Sequence, residues 1–160
     1  MNIVYRLRRR AFTLVEIMIV VVIIGLIALL AIPVFRSVRD KSAVSRFAND
    51  LRVFRSAIDL FYLESGTYPE DSNTGDMPSE LVGYFSSDKF TSRTPVGGSW
   101  DVEYDERGIT SAIGVVNTDS DSKTEELLEQ VDERIDDGNG STGAFRQFEG
   151  GSRYYWVVEE

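Results

Sequence analysis

Cysteine and histidine are both missing from this 160-residue chain. No disulfide can therefore join its loops, and Cys–His pairs, Ser-His-Asp triads and histidine metal sites are excluded. Acidic pairs such as Asp101 and Glu103 are present, but they alternate with apolar residues at the period of a half-buried strand. That period predicts that both carboxylates face solvent. We therefore expect no enzyme active site.

Proline is scarce, and neither proline nor glycine occurs between Pro33 and Gly66. Because these two residue types most often end helices, one uninterrupted helix is predicted through this stretch. The apolar residues recur three and four positions apart, which predicts an amphipathic helix that packs one narrow face on a folded head. These residues are Val44, Phe47, Leu51, Phe54, Ile58 and Phe61. Gly66, followed by Pro69, is expected to end the helix.

Charge is absent from Ile17 to Phe35, and Glu16 is the one charged residue at the start of this apolar run. Nineteen residues at about 1.5 Å each make a helix of roughly 28 Å, close to the thickness of the hydrocarbon core of a bilayer. A membrane span is therefore predicted. A carboxylate in such a segment is costly and usually has a partner.

The residues around Glu16 form a specific pattern. Four arginines (Arg6, Arg8, Arg9 and Arg10) precede Ala11-Phe12-Thr13-Leu14-Val15-Glu16, and the apolar run follows at once. This pattern resembles the N-terminus of type IV pilins and type II secretion pseudopilins. A small residue, Ala11, stands where that family usually has glycine. A single-span anchor that keeps its N-terminus is the simpler alternative.

The resemblance implies a processing reaction and an assembly role. Prepilin peptidase would cut between Ala11 and Phe12 and methylate the new N-terminal Phe12. Glu16 would be the assembly carboxylate, which pairs with the Phe12 amine of a neighbouring subunit. Gly25 and Pro33 match the stretch that can lose helicity inside the filament, and proline supplies a physical reason for a break.

The rest of the chain is strongly acidic. Residues 66–160 carry 21 acidic and seven basic side chains. A head of this charge repels phosphate, so no nucleic-acid partner is expected. The pattern predicts a strand from Trp100, a turn at Asp105–Gly108, a return strand from Ile109 to Val116 and a third strand from Arg153 to Val158.

Two helices are also predicted in the head. A short one is expected from about Pro78 to Tyr84. A second should begin at Ser122, where Ser122 to Glu125 reads as a capping box, and should end near Ile135.

An Asx- and glycine-rich loop follows that second helix. Asp136, Asp137 and Asn139 offer the oxygen ligands that Ca²⁺ prefers, although the spacing is not that of an EF-hand. Major pseudopilins hold Ca²⁺ in a C-terminal loop, so the resemblance implies a possible Ca²⁺ cofactor here. An ordinary surface turn would use the same residue types.

Together these features predict an α+β, pilin-like fold in which a long N-terminal helix packs on a small antiparallel sheet. The expected divisions are a leader (1–11), a transmembrane and polymerisation helix (12–35), an amphipathic stem (36–65) and an acidic head (66–160). The expected function is a structural subunit of a type II secretion pseudopilus or a type IV pilus-like filament. Its expected partners are prepilin peptidase, other pilin subunits and, before assembly, the bacterial inner membrane, with the head in the periplasm. A monomeric anchored protein, or a minor tip pilin that acts as a binding module, is the alternative.

Overall fold

The computed structural model describes residues 12–117 and 121–160. The predicted leader, including Ala11, lies outside the described residues. The chain forms two compact units, one up to Arg39 and one from Asp40 to Glu160. Helix α1 (Leu14–Ser65) contributes its first part to one unit and its second part to the other.

Within residues 12–39, the first unit is formed mainly by the apolar part of α1. The large apolar side chains from Phe12 to Phe35 are 49% to 80% exposed, so this part of the helix has no apolar partner among the described residues of its unit. Gly25 and Pro33 both lie inside the helix. The loss of helicity expected at these two residues concerns a filament, and it stays a prediction.

The second part of α1 buries the predicted apolar stripe. Five of its six residues are buried and Phe61 is partly buried against the same core. The helix ends at Ser65, where Gly66 has a φ of 77° and its N–H donates to the Tyr62 carbonyl at 2.8 Å. A positive φ of this kind favours glycine, so the predicted end of the helix is confirmed.

Four antiparallel strands form one sheet in the order β1-β2-β4-β3. A two-residue turn at Arg107 and Gly108 joins β1 to β2, and both residues have positive φ. The predicted hairpin is therefore confirmed, while the short strand β3 was not predicted. The strands are β1 (Ser99–Glu106), β2 (Ile109–Val116), β3 (Phe145–Phe148) and β4 (Arg153–Glu159).

The remaining helices differ in detail from the predictions. A single 3₁₀ turn, Ser79–Leu81, replaces the helix expected from Pro78 to Tyr84, and helix α2 (Ser87–Thr91) was not predicted. Helix α3 (Ser122–Ile135) was predicted, but its N-cap is Asp121. The Asp121 carboxylate accepts the Lys123 N–H at 3.2 Å, so the cap lies one residue before the predicted Ser122.

One face of the sheet packs against α1 and α3 around Trp100. The Trp100 ring stacks on Phe47, with centroids 4.7 Å apart and planes 5° apart, and Phe54 meets it edge-on at 4.8 Å. Helix α3 adds Leu127, Leu128 and Val131 to the same core. This aromatic contact attaches the second part of α1 to the sheet.

The opposite face of the sheet contradicts a prediction. Asp101 and Glu103 are only 3% and 2% exposed, so the expectation that they face solvent is wrong. Arg153 pairs with Asp101 at 3.0 Å, Arg107 pairs with Glu103, and Tyr155 covers both carboxylates. The strand alternation is correct, but this second face is buried as well.

Candidate functional site

The N-terminus of α1 is closed by a reciprocal cap between Thr13 and Glu16. Glu16 Oε2 accepts the Thr13 N–H at 2.8 Å and the Thr13 hydroxyl at 2.9 Å, and the Glu16 N–H donates to Thr13 Oγ1 at 3.2 Å. This arrangement is a capping box, which the sequence signature Thr-x-x-Glu could have revealed. The cap fixes the Glu16 side chain at the first turn of the helix.

The cap uses only one of the two carboxylate oxygens of Glu16. Both acceptor bonds go to Oε2, and within residues 12–117 and 121–160 no partner is recorded for Oε1. Phe12 precedes the cap and is 80% exposed. Thus an acceptor oxygen and the residue expected to become the new N-terminus lie on the same exposed turn.

The helix that carries this cap can cross a membrane by length and composition. Its apolar window has a mean hydropathy of 3.3, and none of that window is buried. A surface of this kind needs lipid or other apolar helices to cover it.

A second candidate site lies where α3 ends. One carboxylate oxygen from each of Asp132, Asp136 and Asp137 lies within 4.8 Å of the other two. The sequence predicted the last two as ligands, but it missed Asp132. The signal that could have found it is the spacing of four residues between Asp132, in the last turn of α3, and Asp136, the C-cap of that helix, because residues four apart are neighbours on a helix.

Asp132 is the unusual member of this acidic cluster. Its side chain is 1% exposed, and neither carboxylate oxygen has a hydrogen-bond partner of normal geometry within the described part of the chain. Burial, with the charges of Asp136 and Asp137, raises the pKa of Asp132 to about 6, although the nearby Gly138 N–H partly opposes this rise. A buried carboxylate of this kind has a strong need for a proton or a cation.

The loop after α3 is shaped by the other two acids. Asp136 Oδ2 accepts the backbone N–H groups of Ala144 and Phe145, and Asp137 Oδ2 accepts the Thr142 hydroxyl at 2.7 Å. Asn139 Oδ1 accepts the Ser141 N–H at 3.2 Å, so this oxygen supports the turn, and its place as a ligand stays a prediction.

Comparisons with known proteins bear on the N-terminal site. Residues 6–32 match the family described as the prokaryotic N-terminal methylation motif. The type II secretion system core protein G of Klebsiella pneumoniae is 33% identical over 91 residues, which cover 57% of this chain and 63% of that protein. The type IV major alpha-pilin of Moraxella bovis is 34% identical over 83 residues, or 52% of each chain. The chain is therefore similar to type IV pilins and type II secretion pseudopilins.

Core protein G of Pseudomonas aeruginosa is a further relative of this pilin-like chain, 38% identical over 64 residues, which cover 40% of this chain and 45% of that protein. The pilin-like chain thus spans less than two thirds of the length of the curated relatives it matches. No solved structure matches it.

For a pilin-like chain, the two candidate sites suggest different chemistry. The Thr13–Glu16 cap presents a carboxylate oxygen that can accept a cationic amine. The acidic cluster at the end of α3 presents three hard oxygen donors that suit a divalent cation such as Ca²⁺. Of the predicted processing pair, Phe12 is described and exposed, whereas Ala11 lies outside the described residues.

Proposed function

We propose that this chain is a filament subunit that is cut between Ala11 and Phe12, methylated at Phe12 and assembled through the first part of α1. Prepilin peptidase would carry out the processing. Before assembly the subunit would sit in the bacterial inner membrane with its head in the periplasm. It would then join copies of itself in a type II secretion pseudopilus or a type IV pilus-like filament.

The observation that supports this proposal concerns Glu16, which lies at the start of an exposed apolar helix. Only one of its two carboxylate oxygens accepts hydrogen bonds from Thr13. Oε2 is held by Thr13, and Oε1 points to no recorded partner among the described residues. Cleavage before Phe12 would create an ammonium group four residues before Glu16. A neighbouring subunit could therefore bring such an ammonium to Oε1 without breaking the Thr13 cap.

Apolar contacts would supply the affinity, and the charge pair would set the register. The exposed apolar residues from Phe12 to Phe35 surround the helix, so they can pack against lipid first and against other α1 helices afterwards. A charge pair buried among such helices fixes their alignment more surely than it adds stability. Loss of one partner leaves the other charge buried, at a cost of about 3–5 kcal/mol.

Mass spectrometry of the mature protein tests the processing step. Expression in a bacterium that contains a prepilin peptidase should yield a chain that begins with methylated Phe12. A chain that still begins with Met1 would contradict the proposal. Filament imaging of the same cells tests assembly, and a processed chain that remains monomeric would favour an anchored binding module.

Two substitutions at Glu16 separate charge pairing from helix capping. Glu16→Ala removes both functions, whereas Glu16→Gln keeps an acceptor for the Thr13 N–H and removes only the charge. We expect both variants to be inserted and processed, and neither to form filaments. If Glu16→Gln assembled like the wild type, the cap alone would be sufficient and the proposed charge pair would be wrong.

A further inference from the structure

A groove runs along the exposed side of the second part of α1. Its floor consists of small or uncharged side chains, which allow another helix to approach α1 closely. From Ser42 to Leu60 the groove is about 27 Å long, at about 1.5 Å per residue. The floor residues are Ser42, Ser45, Asn49, Val53, Ser56 and Leu60.

Basic side chains line this groove. Asp50 and Lys89 are among the lining residues, and they pair with each other at 3.2 Å. Arg46 and Arg52 line it as well, and both are exposed. Neither arginine forms a recorded ion pair within residues 12–117 and 121–160. Two positive charges are therefore available to a partner, and an acidic surface would complement them.

Helix α3 presents an acidic stripe of suitable length. Glu126, Glu129 and Glu133 are exposed and recur at spacings of three and four residues, so they share one face of the helix. Glu126 pairs with Lys123 at 3.1 Å. In the described part of the chain, no ion pair of Glu129 or Glu133 is recorded. The helix has 14 residues and is about 21 Å long, so it fits within the groove.

The groove and the acidic stripe lie on different sides of one head. Lys123, at the start of α3, pairs with Asp40 at 2.9 Å, so α3 begins on the side of α1 that carries Asp40. Asn49 lies nine residues further along α1, which is about two and a half turns, so it points to the opposite side. The stripe therefore cannot enter the groove of its own head, but it can enter that of a second copy.

We propose that the acidic stripe of one subunit lies in the groove of the next subunit and pairs with its two arginines. Glu129 is the middle residue of the stripe and Arg52 lies near the middle of the groove, so these two residues form the central pair. The inference rests on the proposed filament, and it adds a contact between heads to the contacts of the apolar helix. Because the two surfaces differ, the contact repeats along an open assembly and does not close a dimer.

The net charge of the head gives this contact a further role. Residues 40–160 carry 25 acidic and 11 basic side chains, so two heads repel each other overall. The groove offers a local attraction against this background. The pairing of stripe and groove therefore determines which faces of two heads meet.

Cysteine cross-linking in assembled filaments tests the contact, since the natural chain has no cysteine. Asn49→Cys lies in the groove, and Gln130→Cys lies beside the stripe. In the double variant, a short bis-maleimide should join successive subunits into a ladder of dimers, trimers and longer species. Asn49→Cys combined with Asn73→Cys is the control, because Asn73 is exposed but lies between α1 and β1. The control and each single variant should give no ladder.

The cross-linking result separates this inference from the proposed function. Filaments of the double variant without a ladder would overturn the contact between stripe and groove, and they would leave the filament proposal standing. A ladder of equal strength in the control pair would also overturn the contact. A wild-type chain that is processed but forms no filaments would contradict both proposals.

A charge exchange tests whether the central pair is electrostatic. Arg52→Glu places a negative charge opposite the stripe, so the amount of filament should fall at least about fivefold. Glu129→Arg, added to Arg52→Glu, should restore filaments to about the wild-type amount. If the double variant assembled no better than Arg52→Glu alone, the proposed pairing would be wrong.

A matched control separates this pairing from a change in general charge. Arg134→Glu makes the same charge change at an exposed arginine of α3 that lies outside the stripe, so it should assemble like the wild type. An equal loss of filaments in Arg134→Glu and Arg52→Glu would overturn the proposal. All three positions are exposed, so each variant should keep the wild-type melting temperature and the processed Phe12 terminus. These two readouts distinguish a lost contact from a folding or processing defect.

Discussion

Tyr155 on β4 donates a hydrogen bond to Asp101 on β1, although strand β2 lies between them. The strand register explains how the Tyr155 side chain reaches Asp101 across β2. Asp101 is paired with Gly114, and Gly114 is paired with Tyr155. Gly114 has no side chain, so the Tyr155 ring lies across it. The Arg153 guanidinium donates hydrogen bonds to the Asp101 carboxylate at 3.0 Å and to the Tyr155 hydroxyl at 2.6 Å.

Removal of the Tyr155 hydroxyl should destabilise the head. Tyr155→Phe leaves the buried Asp101 carboxylate without one of its donors, which should lower the free energy of unfolding by about 1–3 kcal/mol. Urea denaturation of the full chain in detergent measures this change. Tyr104→Phe is the control, because Tyr104 is 36% exposed and no hydrogen bond of its hydroxyl is recorded in the described residues. Equal stability of Tyr155→Phe and the wild type would contradict this account of the sheet.

A side chain at Gly114 should be more damaging than the loss of the hydroxyl. A Cβ there would lie 1.9 Å from the Tyr154 carbonyl oxygen and 2.7 Å from the Tyr155 ring. Gly114→Ala must therefore move β4 or displace the ring, at a cost of about 3 kcal/mol. Gly140→Ala is a suitable control, since its added Cβ would meet Gln147 at an ordinary 3.4 Å. Both variants can be compared by thermal melting, and similar melting temperatures would argue against a tight approach at Gly114.

Helix α1 and the β1–β2 hairpin could be predicted because their signals are local. The spacing of apolar residues from Val44 to Phe61 located the buried stripe, and Gly66 located the end of α1. The Arg107–Gly108 turn could also be predicted from the sequence, since glycine tolerates the positive φ that such a hairpin requires. Each of these features depends on residues that are close in sequence.

The burial of the second face of the sheet could not be predicted from such local signals. Asp101 and Glu103 alternate with Trp100 and Val102, a pattern that normally places acidic side chains in water. They are buried because Tyr155, which is distant in sequence, crosses Gly114 to reach them. The Asp132 site was missed for a similar reason, since its importance depends on burial that the sequence of α3 does not reveal.

The contact between Trp100 and Phe47 should be the main attachment of the sheet to α1. Trp100 is 1% exposed and meets both Phe47 and Phe54. Trp100→Ala should lower the free energy of unfolding by about 3–5 kcal/mol, as is typical for a buried aromatic residue. Tyr62→Ala removes an aromatic residue from an exposed stack on Tyr68, so it should cost only about 1 kcal/mol. Urea denaturation followed by far-UV circular dichroism distinguishes the two, and equal losses would contradict this ranking.

The stability of the head should rise as the pH falls from neutral towards about 4.5. Burial raises the pKa of Glu103 above its ordinary value of 4.5, and the hydrogen bond from Tyr155 and the Arg107 charge only partly offset it. Burial raises the pKa of Asp101 in the same way. A carboxyl group whose folded pKa is raised binds its proton more tightly in the folded state, so its contribution to stability is lost as the pH rises through that pKa.

Melting curves between pH 7 and pH 5 in buffers free of divalent cations check this dependence. Glu103→Gln should show a shallower rise in melting temperature than the wild type, because one of the buried titrating groups has been removed. Glu106→Gln is the matched control, since Glu106 also pairs with Arg107, at 2.9 Å, but its side chain is 53% exposed. It should keep the wild-type slope. If Glu103→Gln and Glu106→Gln changed the slope equally, the surface charge of the head, and not the buried carboxylate, would govern its response to pH.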